Sequence, residues 1–213
     1  MTSGKLITIE GIEGAGKSTA LQSIKHYLVK HQIDVLVTRE PGGTHLAENI
    51  RQLLLYPSNI ETIQVETELL LIFAGRAQHI SQCIKPALQS GKWVISDRYI
   101  DASYAYQGGG RCIDIRLIQT LDQWIVDDCY PHLTFLMDLP VTVGFKRTEK
   151  RGGHKDRIEQ EDIAFFERVR HIYLERATQD PNRIKVIDAS KSILSVEKQL
   201  YHELDIYLEK LAQ

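Results

Sequence analysis

Nine consecutive residues, Gly11-Ile12-Glu13-Gly14-Ala15-Gly16-Lys17-Ser18-Thr19, constrain this chain more than any other stretch. They fit the pattern GxxxxGK[ST] and directly follow residues 5–10, a short apolar run with the length of a buried strand. The glycines let successive backbone N–H groups point inward at a bound phosphate, and the helix that the pattern opens adds the positive end of its dipole. In such a loop Lys17 reaches the β- and γ-phosphates of a nucleoside triphosphate and Ser18 can ligate Mg2+. A strand, a glycine loop and a helix in that order predict an α/β fold built around a phosphate cradle.

The rest of the chain agrees with that frame. Further apolar runs bounded by turn residues lie at 34–38, 92–97, 133–138 and 183–188, and helical stretches at 17–32, 65–90, 114–127, 162–177 and 192–211 alternate with them. Alternation of this kind predicts βαβ crossovers and a five-stranded, doubly wound parallel sheet with helices on both faces. At 213 residues the chain suits one domain spanning 1–213, and it has no repeat or low-complexity linker to divide it. In the 65–90 helix Phe73, Ile80, Ile84 and Leu88 fall on one stripe, and Pro86 is expected to kink its end. Residues 69–73 are apolar all round, which offers a second buried face to another copy, so a homodimer is expected.

A formal charge of −2 and a pI near 6.4 argue against general affinity for nucleic acid or an anionic membrane. Any phosphate site must then be a local basic cluster. No window approaches the roughly 20 apolar residues of a membrane span, and the N-terminus has no signal-like run, so a cytoplasmic protein is expected. Cys83, Cys112 and Cys129 are odd in number and far apart, which indicates neither a disulfide framework nor a zinc site. They are expected to be buried, reduced thiols.

Several side chains stand where such a sheet binds ligands. Glu13 lies inside the phosphate loop, where a polyphosphate would repel it, so it is expected to face a second substrate. The turn Thr38-Arg39-Glu40-Pro41-Gly42-Gly43-Thr44 closes the second strand; Arg39 can grip a phosphate there, Glu40 can fix Arg39 or the turn, and Glu40–Pro41 is a candidate cis bond. At the end of the third strand Asp97 can hold Mg2+ through water, and Arg98 can bind an acceptor phosphate or the transferring group. Ser103, Tyr106 and Gln107 precede a glycine-rich exit and form a mixed aromatic and polar group suited to a nucleobase. Arg76 lies one turn from Ile72 and Phe73, where a ring and a guanidinium can meet one base. Six Lys and Arg residues between 146 and 157 surround Gly152-Gly153. That composition predicts a helix end opening into a basic lid at about 147–160, with Arg147, Lys150, Arg151, Lys155 and Arg157 available to a γ-phosphate.

Taken together these motifs resemble the thymidylate kinases: GIEGAGKST, TREPGGT at 38–44, DRY at 97–99, AYQGGGR at 105–111 and DRIEQE at 156–161 run in that family's order. The resemblance implies a P-loop NTPase fold and phosphorylation of dTMP by ATP with Mg2+, a step toward dTTP. It implies that Arg39 and Arg98 hold the monophosphate, that Arg76 and Gln107 face thymine with Phe73 and Ser103 beside them, and that Tyr106 packs near the deoxyribose. Glu13 would lie by its 3′ side, Ser18 and Asp97 would serve the metal, and Arg147 would join the loop residues Gly11 to Thr19 around ATP. The loop carries no arginine, as in the bacterial subgroup whose lid supplies one, and Arg151 would act from there. Two other readings are a deoxynucleoside kinase, against which the paired Arg39 and Arg98 speak, and a nucleotide-dependent switch, weakened by the lack of an NKxD sequence.

Overall fold

A computed structural model describes residues 4–57, 61–152 and 155–212. The five predicted runs form strands β1 (Leu6–Glu10), β2 (Val35–Arg39), β3 (Trp93–Asp97), β4 (Leu133–Asp138) and β5 (Ile184–Asp188). All pair in parallel, in the order β2-β3-β1-β4-β5. The continuous apolar character of β1, β3 and β4 follows from burial on both faces, whereas the edge strands β2 and β5 are only partly covered. Leu6 and Val94 join Phe73 and Ile118 on one side of the sheet. Ile7 and Ile95, one residue on in each strand, join Ile24, Leu28, Leu200 and Leu204 on the other. Between β1 and β4 the buried hydroxyls of Thr8 and Thr134 satisfy each other at 2.7 Å.

The helices are α1 (Lys17–Lys30), α2 (His45–Leu55), α3 (Val65–His79), α4 (Lys85–Gln89), α5 (Ile100–Ser103), α6 (Ile115–Ile125), α7 (Val141–Arg151), α8 (Ile163–Gln179) and α9 (Ile193–Leu211). The predicted 65–90 rod is α3 and α4 joined by a π-helical turn, Ile80–Ile84. Pro86 has no N–H to return to the preceding turn, and the wider turn lies just upstream of it. Phe73, Ile80 and Ile84 are buried in the stripe and Leu88 packs against it.

Helix α2 and the helical segment that begins with α5 were not foreseen. Helix α2 begins where the Thr44 hydroxyl accepts from the Ala47 N–H at 3.2 Å, and it buries Ala47, Ile50 and Leu54 along one face. A π-helical stretch, Tyr104–Gly110, continues α5. Helix α7 ends at Gly152, with φ +68°, as the paired glycines predict; Gly153 lies outside the described residues. The cysteines depart from expectation. Only Cys129 is buried, Cys83 is half-buried, and Cys112 is exposed in the turn before α6.

The chain leaves β1 to build β2 and β3 on one side, then crosses to the other for β4 and β5. Ligands of open α/β sheets bind at the carboxyl ends where the winding reverses. Strand register brings Asp97 beside both Ile9 and Arg39 at that edge. Among the described residues, no helix is long and apolar enough to cross a membrane.

Candidate active site

Over those strand ends opens a cleft of about 440 Å3. Its walls carry Glu13, Gly14, Gly16, Lys17, Ser18, Thr19, Arg39, Arg76, Asp97, Arg98, Ser103, Tyr106, Gln107, Arg147 and Arg151. The glycine loop therefore shares one cavity with the turn after β2, the start of the segment after β3 and the end of α7. Gly11, Ile12 and Ala15 do not line it. Ile12 and Ala15 anchor the loop in the core at 3% and 2% exposure. Gly11 presses against β4, where an added Cβ would lie 2.5 Å from the Met137 carbonyl oxygen.

At the loop, Lys17 Nζ donates to the carbonyls of Gly11 (3.0 Å) and Ile12 (2.9 Å). Burial and the nearby Arg98 charge push its pKa down to about 8. Asp97 does not pair with Arg98. It lines the cleft, and its Oδ1 is buried with no hydrogen-bond partner among the described residues.

Arg98 has φ +70° and turns back over the loop. It donates to the Gly11 carbonyl at 3.0 Å, to Glu13 at 2.6 Å and to the Tyr173 hydroxyl at 3.4 Å, with its guanidinium 4.7 Å from the Tyr106 ring centre. The Tyr106 hydroxyl donates to Glu13, 3.0 and 2.8 Å from its two oxygens. Glu13, Arg98 and Tyr106 thus form one polar group, joined to Lys17 through the Gly11 carbonyl, which accepts from both cations.

The turn after β2 differs in one respect from expectation. Glu40 does not hold Arg39, which pairs instead with Glu48 on α2 at 2.8 Å and is 54% exposed. Glu40 is turned inward, where it accepts from Arg76 Nε at 2.8 Å and meets His79 Nδ1 at 3.0 Å. Its bond to Pro41 is cis. Burial alone would lower the His79 imidazolium, but Cys83 and Glu40 outweigh it and push the pKa up to about 9. Arg51, unremarked in the sequence, also lines the cleft and donates to the Pro41 carbonyl at 2.9 Å.

At the far end Arg76 is 2% exposed and donates through NH1 to Ser103 (2.9 Å) and through NH2 to the Tyr99 carbonyl (3.0 Å). Phe73 is the second correction. It does not line the cleft but lies in the core, its ring 4.7 Å from the Arg76 guanidinium, while Ile72 faces the cavity. Successive helical residues are turned by about 100°, so the neighbour of a core residue is rotated toward the site. Gln107 Nε2 donates to Glu68 at 2.8 Å. Glu68 was also missed; it accepts further from Arg111 and Arg157. Burial alone would raise its carboxyl, but the Gln107 bond and the two arginines hold it below the ordinary value.

Of the basic residues in and after α7, Arg147 donates to the Ala189 carbonyl at 2.9 Å, and Arg151 pairs with Glu159. Arg157 lines the cleft from the Glu68 side, whereas Lys150 and Lys155 are not on its wall. Glu68, Glu48 and Arg51 could have been suspected only as charged residues on half-apolar helices, and the partners of Glu68 are distant in sequence.

The family model described as Thymidylate kinase matches residues 9–200. The chain is 52% identical over 200 residues to thymidylate kinase of Ruthia magnifica, covering 94% of this chain and 97% of that one. It is 49% identical over 201 residues to thymidylate kinase of a Marinomonas strain, covering 94% of each. Its fold is similar to the crystal structure of thymidylate kinase from Ehrlichia chaffeensis, with a TM-score of 0.76 and 33% identity over 95% of this chain and 99% of that one. With the phosphate loop, the paired arginines and the buried polar end in a single cleft, and relatives matching along nearly the whole length, this chain belongs to the thymidylate kinase family.

Proposed function

We propose that the chain transfers the γ-phosphate of ATP to dTMP, giving dTDP and ADP, and that the cleft residues divide the work along its length. Backbone N–H groups of residues 11–16 and the start of α1 hold the β-phosphate. Lys17 moves from its carbonyl partners onto the β- and γ-oxygens, and Thr19 and Arg147 border the nucleotide. Arg39 and Arg98 grip the acceptor phosphate, an arrangement that an uncharged acceptor would not need. Glu13 takes the sugar 3′-hydroxyl, and Tyr106 packs on the deoxyribose.

Arg76 spends three of an arginine's five N–H groups on Glu40, Ser103 and the Tyr99 carbonyl. Two remain as donors for a base carbonyl. Gln107 reads the same edge, and Ile72 supports the base in place of Phe73. Arg151, released from Glu159, neutralises charge on the transferring group from the lid, as an arginine finger does.

The unpartnered Asp97 Oδ1 and the Ser18 hydroxyl fit a phosphate-bound Mg2+. Among the described residues no cluster of three His, Cys, Asp or Glu could hold a metal alone, and Mg2+ typically takes one or two protein oxygens plus phosphates. Asp97 and Ser18 would hold the ion, which would supply positive charge against the phosphates. We further read residues 1–213 as one cytoplasmic domain with a lid at about 147–160, working as a homodimer.

One observation supports the reading: Arg39 and Arg98 line the same cleft as the phosphate loop. A coupled assay offering thymidine and dTMP separately tests it. ADP formation should track dTMP and be absent with thymidine; the reverse pattern would make the chain a deoxynucleoside kinase, and turnover with neither would favour a switch.

A further inference from the structure

The Glu68 side chain is 2% exposed, yet three side chains from two distant segments converge on its carboxylate. Gln107 Nε2 donates at 2.8 Å and Arg111 Nε at 3.2 Å, both from the stretch after α5. Arg157 donates from the foot of the lid. Arg157 also gives its Nε–H to the Leu54 carbonyl at 2.8 Å and its backbone N–H to the Leu55 carbonyl at 3.1 Å, tying the end of α2 to the same point. One carboxylate on α3 therefore fastens the base-reading amide to the descending limb of the lid.

Two consequences follow from chemistry. An amide can be turned either way, but an ionised carboxylate only accepts. Gln107 must point Nε2 at Glu68, which leaves Oε1 as its free acceptor. The far end of the cleft then combines donors on Arg76 with an acceptor on Gln107, matching a base edge that places a carbonyl beside a ring N–H. Thymine and uracil have that edge; cytosine offers an amino group and a bare nitrogen at the same places. The second consequence is mechanical. Any shift of Gln107 onto a base is passed through Glu68 to Arg157, within six residues of Arg151.

We infer that Glu68 is a positioning residue that sets the polarity of the base-reading amide and couples filling of the acceptor site to the lid. The inference rests on the reading of Gln107 as a base contact, and its test separates the two. Steady-state kinetics with dTMP and dCMP, and calorimetry of a non-hydrolysable ATP analogue with and without dTMP, are measured for the wild type, Glu68→Gln and Arg157→Met. In the wild type dTMP should tighten the analogue at least about fivefold. Arg157→Met should abolish that coupling and keep the preference for dTMP over dCMP. Glu68→Gln frees the amide to turn, so the preference should fall about tenfold or more, chiefly through KM for dTMP, and the coupling should vanish as well.

An unchanged preference in Glu68→Gln, or unchanged coupling in Arg157→Met, overturns the inference. Should the wild type ignore dTMP, the proposed function fails by itself, and hydrogen exchange still reads the hub. The Arg157 amide should lose protection in ligand-free Glu68→Gln, and wild-type protection there refutes the tie. If Glu68→Gln does not fold, Arg157→Met decides alone, since it leaves Glu68 bonded to Gln107 and Arg111.

Discussion

Lys17 is held by two backbone carbonyls in a setting that depresses its pKa to about 8, through burial first and the Arg98 charge second. A bound triphosphate favours the protonated amine, so the free protein loses affinity for ATP as pH rises through 8. We expect kcat/KM for ATP to fall toward tenfold per unit above that point, whereas kcat at saturating ATP holds to higher pH, because the two report free and loaded enzyme respectively. A flat kcat/KM profile from pH 7 to 9.5 would contradict the assignment. Arg39 calls for a different measurement. It is exposed and, among the described residues, its guanidinium pairs with Glu48 on the surface of α2, so Arg39→Ala should fold normally. Its KM for dTMP should rise roughly tenfold to a hundredfold with ATP affinity nearly unchanged, and equal loss of both ligands would sink its role. These two residues were legible because a loop pattern and a strand end deliver them. Glu68 was not, because its partners Gln107 and Arg157 lie 39 and 89 positions away and nothing local marks it.

At the scale of elements, the phosphate loop and α7 touch backbone to backbone. A Cβ on Gly144 would lie 2.6 Å from the Glu13 carbonyl oxygen, and one on Gly14 would lie 2.3 Å from the carbonyl oxygen of Gly144. Gly144→Ala must push the loop and helix apart. We expect a loss of about 1–3 kcal/mol in stability, read by denaturant unfolding, with a raised KM for ATP. Gly75 in α3 is the contrast. Its added Cβ would meet nothing closer than 3.7 Å, so Gly75→Ala should stabilise by about 0.5–1 kcal/mol through helix propensity alone. Matching effects at the two sites would show that the close approach does not matter. The alternation of apolar runs made the strands and most helices readable in the sequence. Helix α2 is less legible, because its Thr44 cap and its apolar positions 47, 50 and 54 span only 11 residues directly after a Pro-Gly-Gly turn. The π-helical turn at Ile80–Ile84 depends on hydrogen-bond spacing that no side-chain period reports.

At the scale of the molecule, helices α2, α3 and α6 pack side by side in one layer and turn apolar side chains to water. Leu53 is 58% exposed, Leu70 59%, Leu117 56% and Trp124 76%. With a formal charge of −2, little repulsion opposes association through this layer. In the proposed homodimer these residues form the contact, and an exposed indole is the side chain expected to contribute most to it. Sedimentation of the wild type should give twice the 24.3 kDa chain mass, and Trp124→Ala should weaken association by about 2 kcal/mol, roughly thirtyfold in Kd. The same layer carries Arg51, Glu68 and Arg76 on its inner side. If the contact steadies that wall, dissociated Trp124→Ala should show a raised KM for dTMP that recovers as protein concentration rises, with kcat little changed. A wild type that sediments as a single chain at all concentrations would rule the assembly out, and a concentration-independent KM would confine the contact to assembly without any part in acceptor binding.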